Sequence, residues 1–206
     1  MTQAAPENTT PHADGLGVHD ALQTLVQVRG DQQIVLTNQV SSRLWPTLSD
    51  HPLDLNYNPS AMGGAIPLGL GLALAQPDYE VIVISGDGSL LMNLGCLVTV
   101  VDSGATNLSI VLLDNGQYEV TGGQKTPGYF GADYAGLARA SGFSYVHQFA
   151  EATAWRNEAA ASLSGPGPRF VWLTIRPQPG DYGKAVGRPI QEQMANLRQQ
   201  FRSDRH

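Results

Sequence analysis

Short apolar runs of strand length alternate along this chain with longer segments whose apolar residues recur at helical spacing. The clearest runs lie at residues 34–37, 81–84 and 108–113, and each ends at residues that favour a turn. Residues 18–29 place apolar side chains on one helix face, and Gly30 ends that helix. Strands that alternate with helices in this way predict an α/β fold with a mainly parallel sheet.

The same alternation continues to the end of the chain. The further predicted elements are helices at residues 66–75, 133–141 and 151–163, a last helix up to residue 201, and strands at residues 53–58, 144–147 and 170–175. We therefore predict a three-layer α/β/α architecture around a doubly wound sheet. Residues 18–206 are expected to form one domain, and the polar residues 1–17 a flexible N-terminal arm without the pattern of a signal peptide.

The rest of the chain is organised around residues 81–124, which are predicted to form one βαβ unit. A Ser-Gly-Asp-Gly turn follows the first strand, a helix opens at Ser89 and continues to residue 101, and the second strand ends at residue 113. The crossover is expected to be right-handed and the strands parallel. Asp87 and Asn115 then lie at the carboxyl ends of the strands, the edge where open α/β sheets bind ligands.

The side chains at this edge supply oxygen ligands. A carboxylate from Asp87, an amide oxygen from Asn115 and a main-chain carbonyl from the irregular segment after it are the ligands that Mg²⁺ prefers. Gly88 and Ser89 begin the predicted helix, where free N–H groups and the helix dipole favour an anion. The unit is therefore predicted to hold magnesium and a diphosphate.

Composition narrows the functional classes. The 206 residues suffice for one large domain and leave no room for a second catalytic domain. A net charge of −6 with only 12 Lys and Arg argues against nucleic acid, and we expect neither nucleic acid nor a membrane as a partner. Cys96 is the only cysteine, so no intrachain disulfide forms, and its place in an apolar helix favours a buried thiol in a cytoplasmic protein.

The GDG turn, with Asn115 ending an apolar strand 28 residues after Asp87, resembles the diphosphate-binding motif of thiamine diphosphate (ThDP) enzymes. The stretch NGQYEVTGGQ is most similar to the phosphonopyruvate and sulfopyruvate decarboxylase branch, and the likeness extends from residue 18 to residue 201. One departure is Asp114, which stands where the family usually has the first Asn of a pair. The resemblance implies that Asp87, Asn115 and the Gln117 carbonyl bind the metal.

The resemblance also implies a wider set of cofactor-binding residues: Ser41, Ser42, Ser60, Met62, Gly86, Asp87, Gly88, Ser89, Asn115, Gln117 and Tyr118. Met62 is expected at the position of the bulky apolar residue that bends the cofactor into its V shape; as an alternative, it is an ordinary core residue. Ser41 and Ser42 either contact the diphosphate or cap the next helix. Residues 118–124 are expected to fold over the cofactor.

Two further charged residues are candidates with alternatives. Glu119 either faces the substrate as a catalytic residue or is a solvated loop carboxylate. Arg188, in a Gly-Arg-Pro sequence that also resembles the decarboxylase branch, either meets an acidic group or has a packing role.

The glycine-rich helix at residues 66–75 points to a partner. Each interior Gly costs about 1 kcal/mol relative to Ala, so close packing against another backbone is the expected reason for them. The family's activating glutamate belongs to a pyrimidine-binding domain, and none of the six glutamates here lies in a second αβ unit able to provide it. The chain is thus expected to be half of an active site.

The leading hypothesis is the ThDP- and Mg²⁺-binding subunit of a 2-oxoacid decarboxylase of the sulfopyruvate or phosphonopyruvate type. A separate pyrimidine-binding (alpha) subunit would complete it, in a dimer or higher oligomer that acts on a small 2-oxoacid. The alternatives are another ThDP-dependent lyase, similar to acetolactate synthase, and a noncatalytic ThDP-binding subunit.

Overall fold

A parallel sheet forms the centre of the structure, a computed structural model in which residues 12–178 and 187–203 are described. The strands in chain order are β1 Gln33–Asn38, β2 Asp54–Tyr57, β3 Glu80–Gly86, β4 Leu108–Asp114, β5 Gln117–Tyr118, β6 Gln124–Lys125, β7 Tyr145–Phe149 and β8 Arg169–Thr174. Six of these described strands form the main sheet in the order β2-β1-β3-β4-β8-β7, with every neighbouring pair parallel. Strands β5 and β6 form a separate antiparallel hairpin.

Helices cover both faces of the sheet. They are α1 Val18–Val28, α2 Gln39–Leu44, α3 Ala65–Ala75, α4 Asp87–Leu91, α5 Cys96–Asp102, α6 Tyr134–Ala140, α7 Ala152–Ser162 and α8 Ile190–Ser203. Helices α1 and α7 pack with one core, while α3, α5, α6 and α8 pack with the other. The predicted three-layer α/β/α class with a doubly wound sheet is confirmed.

The continuous apolar strands follow from burial on both faces. In β3, Val81 and Val83 face the core under α3 and α5, whereas Ile82 and Ile84 face the core under α1 and α7. All four side chains are buried. A strand in the middle of a parallel sheet has no solvent face, so its sequence shows no polar alternation.

The direction of winding reverses between β1 and β3. The chain passes from β1 to β2 on one side and from β3 to β4 on the other. A crevice therefore opens beyond the carboxyl ends of β1 and β3, at the position where such sheets bind ligands.

The long helix predicted for residues 89–101 is wrong in detail. Helix α4 begins two residues earlier, at Asp87, and α5 starts only at Cys96. Between them the Asn93 side chain donates to the Gly63 carbonyl (3.0 Å), and Gly95 precedes α5. Asn and Gly both favour such interruptions over helix interiors, which explains the break.

The predicted flexible arm is wrong for residues 12–17. Leu16 is buried and pairs with Ile175 in a parallel bridge beside the end of β8. Its N–H donates to the Thr174 carbonyl (2.9 Å), and the Arg176 N–H donates to the Leu16 carbonyl (2.8 Å). Backbone pairing with the sheet, which the polar composition does not reveal, holds this segment; residues 1–11 of the predicted arm lie outside the described residues.

Two other candidates have clear positions. Arg188 forms an ion pair with Asp50 (3.3 Å) and donates to the His51 carbonyl (3.0 Å), before the amino end of β2, and it does not belong to the described lining of the crevice. Cys96 is buried, and burial raises the pKa of its thiol to about 11.

Among the described helices, none combines the length and the apolar character that crossing a membrane requires.

Candidate cofactor site

A cleft lies at the carboxyl ends of β1, β3 and β4. Its lining includes ten of the candidate residues: Ser41, Met62, Gly86, Asp87, Gly88, Ser89, Asn115, Gln117, Tyr118 and Glu119. Ser42 and Ser60 do not line it. The remaining lining residues, which were not among the named candidates, are Val18, Asn38, Gln39, Val40, Leu113, Val120 and Ile175; of these, Val120 belongs to the segment predicted to fold over the cofactor.

Asp87 presents a buried carboxylate to the cleft. It is the first residue of α4, is only 1% exposed, and accepts a hydrogen bond from the Thr126 hydroxyl (2.9 Å). Burial, and next the charge of Asp114, raise the pKa of Asp87 to about 7, against the lowering effect of the Thr126 hydrogen bond. A carboxylate that is this poorly solvated is stabilised by a bound cation.

Asn115 follows β4 on a tight turn. Its side-chain oxygen accepts from the Gln117 N–H (2.9 Å), and Gly116 between them has a φ of +68°. The Gly116 carbonyl accepts from the Thr126 N–H (2.8 Å). An amide oxygen has a second lone pair, so Asn115 can still bind a cation.

Asp114 is the next buried carboxylate. Its Oδ1 lies 3.0 Å from Nε2 of His12 and 3.1 Å from the Gly116 nitrogen, and its Oδ2 accepts from the Trp172 indole (3.0 Å). Sequence reasoning noted Asp114 only as a departure and missed His12 and Trp172. No local signal pointed to them, because their contacts depend on the folded sheet.

The serine hydroxyls near the cleft mostly form hydrogen bonds with backbone groups. Ser41 donates to the Asn38 carbonyl (2.7 Å) and Ser42 to the Gln39 carbonyl (2.7 Å) at the start of α2. Ser89 accepts from the Asn38 side chain (3.1 Å) and from the Gly63 N–H (3.0 Å). These hydroxyls are therefore engaged inside the protein. Ser41 also accepts from the Asn38 N–H (3.2 Å) as part of a capping box at the start of α2, whereas the Ser42 bond lies within the helix, and contact of either serine with the diphosphate stays a prediction.

Asn38, the last residue of β1, and Gln39, which follows it, were not named as candidates, although their position at the carboxyl end of β1 could have identified them. Gln39 has a φ of 54°, which is uncommon for a residue other than Gly, and its side chain donates to Ser60 (2.8 Å). A backbone strained in this way is typical of functional sites.

Met62 and the first half of the β5–β6 hairpin, residues 117–120, line the cleft. A Cβ added to Gly88 would lie 2.5 Å from Cε1 of Tyr118, so the Tyr118 ring packs directly on the Gly88 backbone. Glu119 lines the cleft and accepts from the Gln178 N–H (3.0 Å). The loop predicted to fold over a cofactor is thus a short hairpin with Tyr118 against α4.

The charged side chains in the described lining of the cleft are all acidic. Its described lining contains two acidic residues, Asp87 and Glu119, and no Lys or Arg. Its cavity volume is ≈ 50 Å³, whereas pockets that enclose a drug-sized ligand hold about 300–1,000 Å³. Because the cavity is small, the described chain alone surrounds only part of a ligand of that size. Because the described lining has acidic residues and no Lys or Arg, an anion bound here would need a cation.

Comparison with known proteins gives a consistent result. The family model described as "Thiamine pyrophosphate enzyme, C-terminal TPP binding domain" matches residues 33–172. A candidate thiamin diphosphate-dependent enzyme from Mycobacterium smegmatis, solved by X-ray methods, has a similar fold, with a TM-score of 0.67 at 21% identity over 80% of this chain and 32% of that chain.

Two curated relatives differ in how much of their length is matched. A phosphonopyruvate decarboxylase of Streptomyces viridochromogenes is 39% identical over 165 residues, 80% of this chain and 40% of the relative. The beta subunit of sulfopyruvate decarboxylase from Methanothermobacter thermautotrophicus is 35% identical over 162 residues, 79% of this chain and 83% of the relative. This chain therefore spans about two fifths of the first protein and most of the second.

Proposed function

Because this chain belongs to the thiamine pyrophosphate enzyme family, we propose that it is the ThDP- and Mg²⁺-binding subunit of a 2-oxoacid decarboxylase. In this proposal a separate pyrimidine-binding subunit completes the active site. The similarity to a beta subunit over 83% of its length supports a chain that works as one part of a complex.

The lack of a basic residue in the described lining of the cleft is the observation that carries the magnesium assignment. A diphosphate has several negative charges, and Asp87 would repel it unless a metal ion lay between them. Asp87, the Asn115 side chain and the Gln117 carbonyl offer the oxygen ligands that Mg²⁺ takes, with phosphate oxygens and water filling the remaining positions.

The bound cofactor would supply the nucleophilic carbon and the electron sink of the decarboxylation. The residues of this chain hold and orient it. Met62 lies on the cleft wall, where it can contact the organic part of the cofactor, while the Asp87 and Asn115 side of the cleft holds the diphosphate. The role of Met62 as the residue that bends the cofactor stays a prediction.

A partner is supported by the outer face of α3. Its exposed positions carry no polar side chain, and they are Pro67, Leu68, Gly71, Leu74 and Ala75. Leu74 is 55% exposed, and Met92 and Val98 beside α3 are each 56% exposed. A helix face whose described exposed positions are all apolar is typical of a protein–protein interface.

The substrate class rests on the relatives. Phosphonopyruvate and sulfopyruvate are the substrates that their names give, so we propose a three-carbon 2-oxoacid with a phosphonate or sulfonate group. Since the described cleft lining has no Lys or Arg, the partner subunit would supply the positive charge for that group.

Calorimetric titration with ThDP tests the cofactor assignment. We expect the wild-type chain to bind ThDP only when Mg²⁺ is present, and Asp87→Ala to lose that binding. Asp78→Ala, which removes an exposed carboxylate at the amino end of β3, is the matched control and should bind as the wild type does. Unchanged affinity and magnesium dependence in Asp87→Ala would show that the metal assignment is wrong.

Reconstitution with the pyrimidine-binding chain tests the reaction. Release of carbon dioxide from sulfopyruvate or phosphonopyruvate supports the decarboxylase. Condensation of two oxoacids would instead indicate a lyase similar to acetolactate synthase, and ThDP binding without turnover would indicate a noncatalytic subunit.

A further inference from the structure

We propose that His12, Asp114 and Trp172 form a clasp that positions the loop carrying Asn115 and Gln117. His12 and Trp172 are then positioning residues for the magnesium–diphosphate site, since neither belongs to the described lining of the cleft. This inference rests on the proposed function, because it assigns the clasp to the cofactor that we place in the cleft.

The Asp114 side chain is surrounded by donors. Nε2 of His12 lies 3.0 Å from Oδ1, the Gly116 N–H donates to the same oxygen (3.1 Å), and the Trp172 indole donates to Oδ2 (3.0 Å). An ionised carboxylate only accepts hydrogen bonds, so both oxygens are used. Asp114 is 4% exposed and cannot exchange these partners for bulk water.

An Asn at this position would fit badly. Whichever way its amide were turned, its NH₂ group would face either the Gly116 N–H and His12 or the indole N–H of Trp172. Asp114, the carboxylate that departs from the pattern of the resembled family, therefore matches the hydrogen-bond donors that His12 and Trp172 supply.

The clasp leaves the loop little freedom. Gly116 lies between two rings, since a Cβ there would be 2.7 Å from Cε1 of His12 and 2.7 Å from Cδ2 of Tyr129. The His12 and Tyr129 ring centroids are 5.7 Å apart. The His12 and Tyr129 rings therefore restrict the positions of Asn115 and Gln117, the residues before and after Gly116.

The clasp joins parts of the chain that are distant in sequence. His12 belongs to the segment that Leu16 ties to the end of β8, and Trp172 lies on β8 itself. On the cleft side, Thr126 donates from its N–H to the Gly116 carbonyl and from its hydroxyl to Asp87 (2.9 Å). Displacement of His12 would therefore shift both proposed metal-binding side chains, those of Asp87 and Asn115.

The test separates hydrogen bonding from ring packing. His12→Phe keeps a ring beside Gly116 and Tyr129 but removes the donor, whereas His12→Gln restores an N–H donor. Calorimetry with ThDP at fixed MgCl₂ should give an affinity about 10- to 100-fold weaker for His12→Phe, as expected when a charged acceptor loses a buried donor. His12→Gln should bind within about 3-fold of the wild type.

One control variant and one second test variant accompany it. His19→Phe removes an exposed histidine of α1 and should leave ThDP affinity unchanged. Trp172→Phe removes the other side-chain donor to Asp114 and should also weaken ThDP binding, which keeps the test open if His12→Phe does not fold. Melting temperatures without metal show how much each variant affects the fold alone.

The outcomes distinguish the two proposals. A wild-type chain that binds no ThDP with Mg²⁺ overturns the proposed function and the clasp with it. Wild-type binding together with unchanged affinity in His12→Phe overturns the clasp alone, even if the melting temperature falls, because His12 would then only stabilise the fold. Failure of His12→Gln to recover affinity would also contradict the hydrogen-bond role.

Discussion

Asp87 shows how a single residue can serve a binding site at a cost to the fold. Its carboxylate is buried beside Asp114, and the pKa of about 7 in the folded protein compares with 3.8 for an ordinary Asp. Between these values the folded chain holds a proton that the unfolded chain has released. Stability contributed by that proton is complete below about pH 4 and is lost as the pH rises towards 7.

We predict that Asp87→Asn makes the metal-free chain more stable at pH 8. The Asn keeps the size of the side chain and an acceptor for Thr126 but carries no charge. The free energy of unfolding should exceed that of the wild type by up to a few kcal/mol at pH 8, and the difference should shrink towards pH 5. Urea unfolding in the presence of a chelator, at several pH values, measures it.

The same variant should lose magnesium-dependent ThDP binding, so that stability and function change in opposite directions. An Asp87→Asn variant that is no more stable than the wild type at pH 8 would show that the buried Asp87 carboxylate does not destabilise the fold. Ser41→Ala, which removes a hydroxyl bonded to the Asn38 carbonyl without altering any charge, is a suitable comparison because its effect should not depend on pH.

At the scale of elements, α3 has two glycines in opposite surroundings. A Cβ at Gly69 would lie 2.1 Å from Cγ2 of Val83 in β3, whereas one at Gly71 would meet nothing within 4 Å. Gly69 is therefore explained by packing of the helix on its own sheet. The described part of the chain offers no such reason for Gly71, which faces outwards on the apolar surface of α3.

This contrast gives a matched pair of variants. Gly69→Ala should lower the free energy of unfolding by about 1–3 kcal/mol, because the core beneath α3 has no space for a methyl group. Gly71→Ala should raise it by about 1 kcal/mol, because Ala favours a helix more than Gly does. Denaturant unfolding of the isolated chain measures both.

The pair also tests the interface. If the outer face of α3 packs closely on the partner subunit, Gly71→Ala should weaken assembly, as measured by sedimentation of the reconstituted complex, although it stabilises the chain alone. A Gly71→Ala chain that assembles with wild-type affinity would place the interface elsewhere.

At the scale of the whole molecule, the cleft formed by the described residues has a cavity of ≈ 50 Å³, which is too small to enclose a drug-sized ligand. Glu119 is the only glutamate in its described lining, and its side chain accepts from the Gln178 backbone at the rim. In our proposal, activation of the cofactor depends instead on a carboxylate from another chain.

We therefore predict that the isolated chain with ThDP and Mg²⁺ turns over pyruvate, sulfopyruvate and phosphonopyruvate at a very low rate. Addition of the pyrimidine-binding chain should raise the rate by about 10²- to 10⁴-fold, the usual contribution of general acid–base catalysis. Carbon dioxide release measures it. Rapid turnover by the isolated chain would contradict the half-site and direct attention to Glu119 as the activating carboxylate.

Much of the fold and part of the site could be predicted from the sequence because they depend on local order. Apolar runs of strand length specify buried parallel strands, and in a parallel sheet residues that follow such strands meet at one edge. For that reason Asp87 and Asn115 were correctly placed in the same cleft without a structure.

Only the tertiary structure decided the contacts that hold these residues. Asp114 and His12 are 102 positions apart, and Asp114 and Trp172 are 58 apart. Their meeting depends on β8 lying next to β4 and on Leu16, four residues after His12, pairing with Ile175 at the end of β8, an arrangement that hydrophobic periodicity does not specify. Periodicity reports which side of an element is buried, whereas the order of strands in the sheet determines which distant side chains that burial brings together.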